Sequence, residues 1–365
     1  MNKLKKVGLT ALAGSLAAVS ANAGEISVSG AMGFTYSNQS GSIGTPDSDH
    51  GKGIGVDNSL SFSGSGELDN GWSVSGYTAT SDAFALTSSA VTLTMGDLGS
   101  ITSGSGYGGN SAAFDQETPR AYEEVDDGGA SSLSMNLVGS YNDNGGINYK
   151  SPTIDLMGAT ATVYLGYVPK AEDAHSAGGG TTGVSSMGSG QDAGLLLSHE
   201  SGLTLGVYGA TRERLGIATA NLSDAFEGTW FAKYAMGPVT IGYQESYFDS
   251  GLAPSATSAA TPKTVAAATG NFEANTYSIA FNMNDNLSVS YSKAEDTYDA
   301  QAGASAGSTT SDAVADVAMD MKSIQAAYSM GSMSIKAYRT TTDNAGYSTA
   351  GDSLTVNEIA LGLSF

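Results

Sequence analysis

The chain has 365 residues, with 49 Gly, 7 Pro, no Cys, a formal charge of −21 and a mean hydropathy of −0.10. The lack of cysteine excludes disulfides and thiolate chemistry, and the strong acidity excludes binding of nucleic acid or anionic lipid by bulk charge. Helix formers diluted by Gly, Ser and Thr, with recurring β-branched and aromatic residues, disfavour a helical or α/β domain.

Lys3, Lys5 and Lys6 precede the uncharged run Val7 to Val19. Ala21-Asn22-Ala23 then places small residues at −3 and −1 of a cleavage site. This order predicts a signal peptide over 1–23 and a mature domain over 24–365. The first 23 residues hold three lysines and no acids, so the mature chain has 12 bases and 36 acids, or −24. No later segment offers about 18 consecutive apolar residues, so no transmembrane helix is expected.

From Glu25 onward the dominant signal is alternation with period two. Ile26, Val28, Met32, Phe34 and Tyr36 share one face, with Ser27, Ser29, Gly33 and Thr35 on the other. Alternation recurs over 57–67, 72–80, 88–95, 100–104, 146–152, 159–168, 192–199 and 203–211. It continues over 225–234, 239–248, 272–282, 287–294, 317–329, 333–340 and 353–365. With 25–36 this makes sixteen strands, an even number that returns both ends to one side. Seven connections are tight and rich in Gly, Asn and Asp; the other eight are mostly longer. The expected fold is an all-β, sixteen-stranded antiparallel transmembrane β-barrel with short periplasmic turns and long extracellular loops. Faces of Ser, Thr, Gly and Asn would leave hydroxyls unsatisfied in a dry core, whereas a water-filled lumen satisfies them. Leu133, Met135, Leu137, Gly139 and Tyr141 also alternate, but a seventeenth strand would break the even count, so Leu133–Tyr141 is assigned to a loop.

Four stretches carry a resemblance to a known family. They are Ala21-Asn22-Ala23-Gly24 leading into the first strand, Val91 to Thr102 (VTLTMGDLGSIT), Ile147 to Pro152 (INYKSP) and Leu361 to Phe365 (LGLSF). In order and spacing, the mature chain resembles the Gram-negative general porins, closest in style to the alphaproteobacterial ones. The resemblance implies an outer-membrane pore for passive diffusion of small hydrophilic solutes and ions, without enzymatic activity. It further implies a homotrimer embedded in outer-membrane lipid. Phe365 would be the assembly signal read by the barrel-assembly machinery. The long third loop, here 105–145, would fold into the lumen and narrow it.

That loop carries Asp115, Glu117, Glu123, Glu124, Asp126 and Asp127 against the single base Arg120. They are candidates for the acidic side of a constriction, with a solvated outer loop as the alternative. Strand phase points Lys150, Lys233 and Lys336 inward and extends the same face to Arg212 and Arg214. These are candidates for an opposing basic side, and the pair of sides would set a transverse field. Lys293 and Arg339 fall on the outward phase, as rim or subunit-contact residues. The summed charge predicts a mild cation preference.

Asp47-Ser48-Asp49 and Asp126-Asp127 supply oxygen ligands that would suit calcium, without EF-hand spacing, so no cofactor is expected beyond that weak signal. His50, His175 and His199 form no catalytic set; Ser198-His199-Glu200 places neighbours on opposite strand faces. Trp72, Trp230, Tyr36, Tyr77, Tyr167, Tyr234 and Tyr243 fit interface girdles. Tyr164 and Tyr208 are inward, too few for the aromatic ladder of a sugar channel. A substrate-specific channel of the same fold and a non-transport surface barrel or adhesin remain alternatives.

Overall fold

The structure is a computed structural model that describes residues 23–43, 50–127, 144–171, 187–215, 223–251, 271–299 and 316–365. Residues 1–22 of the expected signal segment, His175, Asp47-Ser48-Asp49 and Leu133–Tyr141 lie outside these residues. The first seven strand segments are β1 (Ala23–Ser40), β2 (Gly51–Glu67), β3 (Ser73–Ser81), β4 (Ala85–Thr94), β5 (Ser100–Ser105), β6 (Ile147–Lys150) and β7 (Ile154–Asp155). Next come β8 (Ala159–Val168), β9 (Met187–His199), β10 (Leu203–Arg214), β11 (Ala225–Met236) and β12 (Val239–Asp249). The last five are β13 (Asn271–Asn282), β14 (Leu287–Asp299), β15 (Val317–Met330), β16 (Met333–Asp343) and β17 (Leu354–Ser364).

Each strand pairs antiparallel with its sequence neighbour, and β6 and β7 both pair with β8 as two pieces of one stave. β1 pairs with β17, from Ala31 opposite Ser364 to Ser40 opposite Thr355, and this closes a sixteen-stave barrel. Closure gives the backbone groups of every stave a partner, which lipid cannot supply. Phe365 extends the seam by one pair: its N–H and C=O bond Gly30 at 2.9 and 2.8 Å.

The outer face is apolar. Ile26, Val28, Ile54, Val56, Val91, Ile279, Ile324 and Ile359 are all exposed there. Such a surface is stable only against hydrocarbon, so the barrel spans a membrane. Six of the seven tight turns at one end use Gly at positive φ where the chain reverses, as at Gly202 (φ 94°) and Gly331 (φ 59°). Among the described residues no helix is long and apolar enough to cross a membrane.

The observed staves match the alternation, but some run further toward the loop end than expected: β14 ends at Asp299 and β16 at Asp343. In these extensions the polarity inverts. On β14 the outward residues change from Leu287, Val289 and Tyr291 to Lys293, Glu295 and Thr297. The inward ones change from Ser288, Ser290 and Ser292 to Ala294, Asp296 and Tyr298. β15 does the same, with Lys322 and Asp320 outside and Met321 and Met319 fully buried inside. Here Phe248, Phe272, Tyr298, Met319, Met321, Leu354 and Val356 close around Tyr347 from the loop after β16. The Tyr347 hydroxyl donates to Asp296 Oδ2 at 2.6 Å. Lys293 and Arg339 are outward as expected, and Lys322 lies beside Lys293 on the same outer face.

One aromatic differs from its girdle assignment. Tyr77 lies opposite Ser63 and Ala90, on the lumen side.

Candidate functional site: a lumen loop and its wall

After β5 the chain does not leave the barrel. Residues 106–127 fold inward and lie along the inner wall from β9 to β17. Gly106, Gly108 and Gly109 take positive φ at the entry, where the backbone reverses. Asn110 Nδ2 donates to Asp192 Oδ1 on β9 at 2.8 Å. Phe114, with no exposed surface, then packs among Tyr164, Tyr208 and Phe231 at ring separations of 5.3, 5.2 and 6.4 Å. Gly194 permits this approach, since a Cβ there would sit 2.5 Å from the Phe114 ring. Further along, Ala121 N donates to Ser290 Oγ at 2.9 Å, and the Tyr122 hydroxyl to Glu358 Oε1 on β17 at 2.9 Å. The loop therefore bridges about half the barrel circumference.

The loop acids occupy unequal environments. Asp126 is buried and accepts from Gln116 Nε2 at 2.5 Å. Asp115 is largely enclosed beside it; burial first, then Asp126, push its pKa up to about 6. Glu117 is ion-paired with Lys233. Glu124 lies 2.9 Å from Arg120, yet burial outweighs that attraction and its pKa rises to about 8. Glu123 is raised by burial and then by Asp127, while Lys336 lowers it. Asp127 is exposed and caps the Glu124 N–H at 2.9 Å.

The five candidate bases all lie on inward positions, in unequal surroundings. Lys233 bonds the loop at Glu117, and Lys336 Nζ sits 4.9 Å from the Tyr122 ring centre. Arg212 pairs with the buried Glu227 at 3.6 Å, and Arg214 Nε donates to the Ser250 carbonyl at 2.5 Å. Lys150 is exposed to the lumen, 5.6 Å from the Tyr164 ring. The inward positions of β1–β5 carry no Lys, Arg or His. They are mostly small hydroxyl and glycine residues, including Ser27, Ser29, Thr35, Ser59, Ser61 and Ser63. Strand phase gave the direction of each base correctly, and only the docked loop shows which bases it engages.

Tyr164 and Tyr208 point inward as expected, but Phe114 covers them. Phe114, Gln116, Gln244 and Gln325 are site residues that pattern reading passed over. The available signal was a pair of glutamines on inward phase in otherwise Ser- and Thr-rich strands. Among the described residues no group of three or more His, Asp or Glu is placed to hold a metal ion.

No known family profile matches the chain, and no curated protein matches it. Solved structures do. OmpF of Salmonella typhi in complex with daunomycin is 14% identical, with a TM-score of 0.65, 94% of this chain covered and 98% of that one. The anion-selective porin of Comamonas acidovorans is 14% identical, with a TM-score of 0.63 and coverage of 93% and 99%. A mutant of the Rh. blastica porin is 16% identical, with a TM-score of 0.54 and coverage of 93% and 100%. The architecture is thus that of an outer-membrane barrel. More narrowly, it is the sixteen-stranded porin fold with a loop inside the lumen.

Proposed function

We propose that the protein is a passive outer-membrane channel for small hydrophilic solutes and ions, with a mild preference for cations. The observation that supports this most is the acidic loop strapped inside a closed barrel, whose nearest bases are already engaged. Lys233 and Arg212 are ion-paired, so they offset the remaining carboxylates less than their number implies. Glu123, Glu124 and Asp127 then present the loop's acidic edge. A cation meets an attractive potential where water is scarce. Protonation of Glu124 near neutral pH tempers this, so the bias is modest. The fold alone does not fix the sign, since one structural neighbour is an anion-selective porin.

The test is a reversal potential across a salt gradient in planar bilayers. The native channel should prefer cations by about twofold to threefold, less at high salt because exposed charges are screened. Glu123→Gln with Glu124→Gln should move the ratio toward unity. An anion-selective native channel, or a double variant with an unchanged potential, would sink the assignment.

On the same reading the barrel functions as a homotrimer, to be checked by mass in mild detergent. Phe365 acts as its assembly signal. The ring is 73% exposed at the seam, available to other proteins, while its backbone completes the β1–β17 ladder. Deleting Phe365 should lower the yield of heat-modifiable barrel, and normal yield would count against the role.

A further inference from the structure

Two buried glutamines hold the lumen loop by its backbone. Gln244 on β12 accepts from the Glu117 N–H at 2.6 Å and donates to the Phe114 carbonyl at 2.8 Å. Gln325 on β15 accepts from the Tyr122 N–H at 2.9 Å and donates to the Glu123 carbonyl at 2.5 Å. Each is braced by a neighbouring hydroxyl: Gln244 Nε2 also donates to Thr229 Oγ1 at 2.9 Å, and Gln325 Nε2 to Ser323 Oγ at 3.1 Å. Their exposures are only 3% and 2%.

A primary amide carries both a donor and an acceptor, so it can pair with a peptide much as a neighbouring strand would. Neither a carboxylate nor an aliphatic side chain can make both bonds. The two amides grip the loop on either side of Pro119, whose Cδ lies 2.4 Å from where a Gly242 Cβ would be. Between the grips, Ser290 holds Ala121. The segment from Phe114 to Glu123 is thereby fixed at both ends by side chains that never touch the open lumen.

We propose that Gln244 and Gln325 are positioning residues that set the channel's cross-section and its charge filter, by clamping the loop backbone against the wall. The inference rests on the channel reading for its consequence, but the clamp itself can be measured without any transport. Removing either amide leaves two loop peptide groups without partners, and they recover them by moving into the lumen water.

The experiment compares native barrel with Gln244→Leu, Gln325→Leu and the double variant, after a heat-modifiability gel shows folded protein. Hydrogen exchange reads the Glu117 and Tyr122 amides. Their protection should fall by more than about tenfold in the matching single variant, with the β13–β17 ladder amides unchanged. Single-channel conductance should change by about twofold or more, with the cation preference shifting alongside. Unchanged amide protection overturns the clamp. Lost protection with unchanged conductance and ion preference overturns its role in setting the pore. A native protein without conductance removes the channel reading, while the exchange data still decide the clamp. If the Leu variants fail to fold, Gln244→Met and Gln325→Met keep the length of the side chain and lose both the acceptor and the donor. Full loop protection in those variants overturns the proposal equally.

Discussion

The barrel has two unlike halves. Among the described residues, the wall of β1–β5 is a single layer between two solvents. Along the first part of β2 both faces are exposed, with Ile54 and Val56 toward lipid and Gly53, Gly55, Asp57 and Ser59 toward the lumen. In β9–β17 the inner face is covered. Ser323, Gln325, Met319 and Met321 on β15 are all buried, beneath the lumen loop or the aromatic cluster around Tyr347. The same period-two pattern thus builds a bare wall and a packed wall. The difference lies in whether a loop returns to cover the inward side chains. The bare wall draws its stability from ladder hydrogen bonds and lipid contact, whereas the packed wall adds a dry interior above the membrane edge.

That contrast is open to mutation. The largest effect should come from Phe114→Ala, which empties the pocket among Tyr164, Tyr208 and Phe231. A loss of about 3–5 kcal/mol is expected for a fully buried aromatic. Denaturant unfolding in detergent would measure it, and conductance should rise in the same variant. A cost below about 1 kcal/mol would mean the loop is not packed as described.

Next is Tyr347→Phe, which removes one bond to the buried Asp296 carboxylate. It should cost about 1–3 kcal/mol and leave ion selectivity unaltered, because the bond is buried within the cluster and its loss changes no charge on the loop. A change in reversal potential without loss of stability would place Tyr347 in the conduction path instead.

A smaller effect is expected with pH. Asp115 titrates near 6 and Glu124 near 8, both above their ordinary range through burial. Raising pH from 5 to 9 therefore adds negative charge to the loop, and cation preference should increase. The folded state holds the extra protons, so these groups favour folding at low pH. That contribution fades as pH rises through about 6 and then about 8. A flat reversal potential over the range would show that these carboxyls do not face permeating ions.

The smallest effect belongs to the bare wall. Ser27→Ala breaks the 2.6 Å contact with Ser63 Oγ, but lumen water can replace it. Stability should change by less than about 0.5 kcal/mol. A loss comparable to that of Phe114→Ala would erase the distinction between the halves.

The sequence by itself determined the staves, the tight turns, the closing strand and the facing of every candidate base. A residue on a lipid-facing wall has only two directions to point, and each selects a different polarity. The expected strands stop short on β14 and β16 because the rule reverses above the membrane, where water lies outside and Phe272, Tyr298 and Met319 pack inside. The tertiary structure decided which wall the lumen loop lies on. It also decided that Lys233 and Lys336 contact the loop, and that Gln244 and Gln325 grip its backbone. Those contacts join residues more than a hundred positions apart, through peptide groups that any sequence possesses. No local pattern encodes such pairings; they exist only once the barrel has closed around the loop.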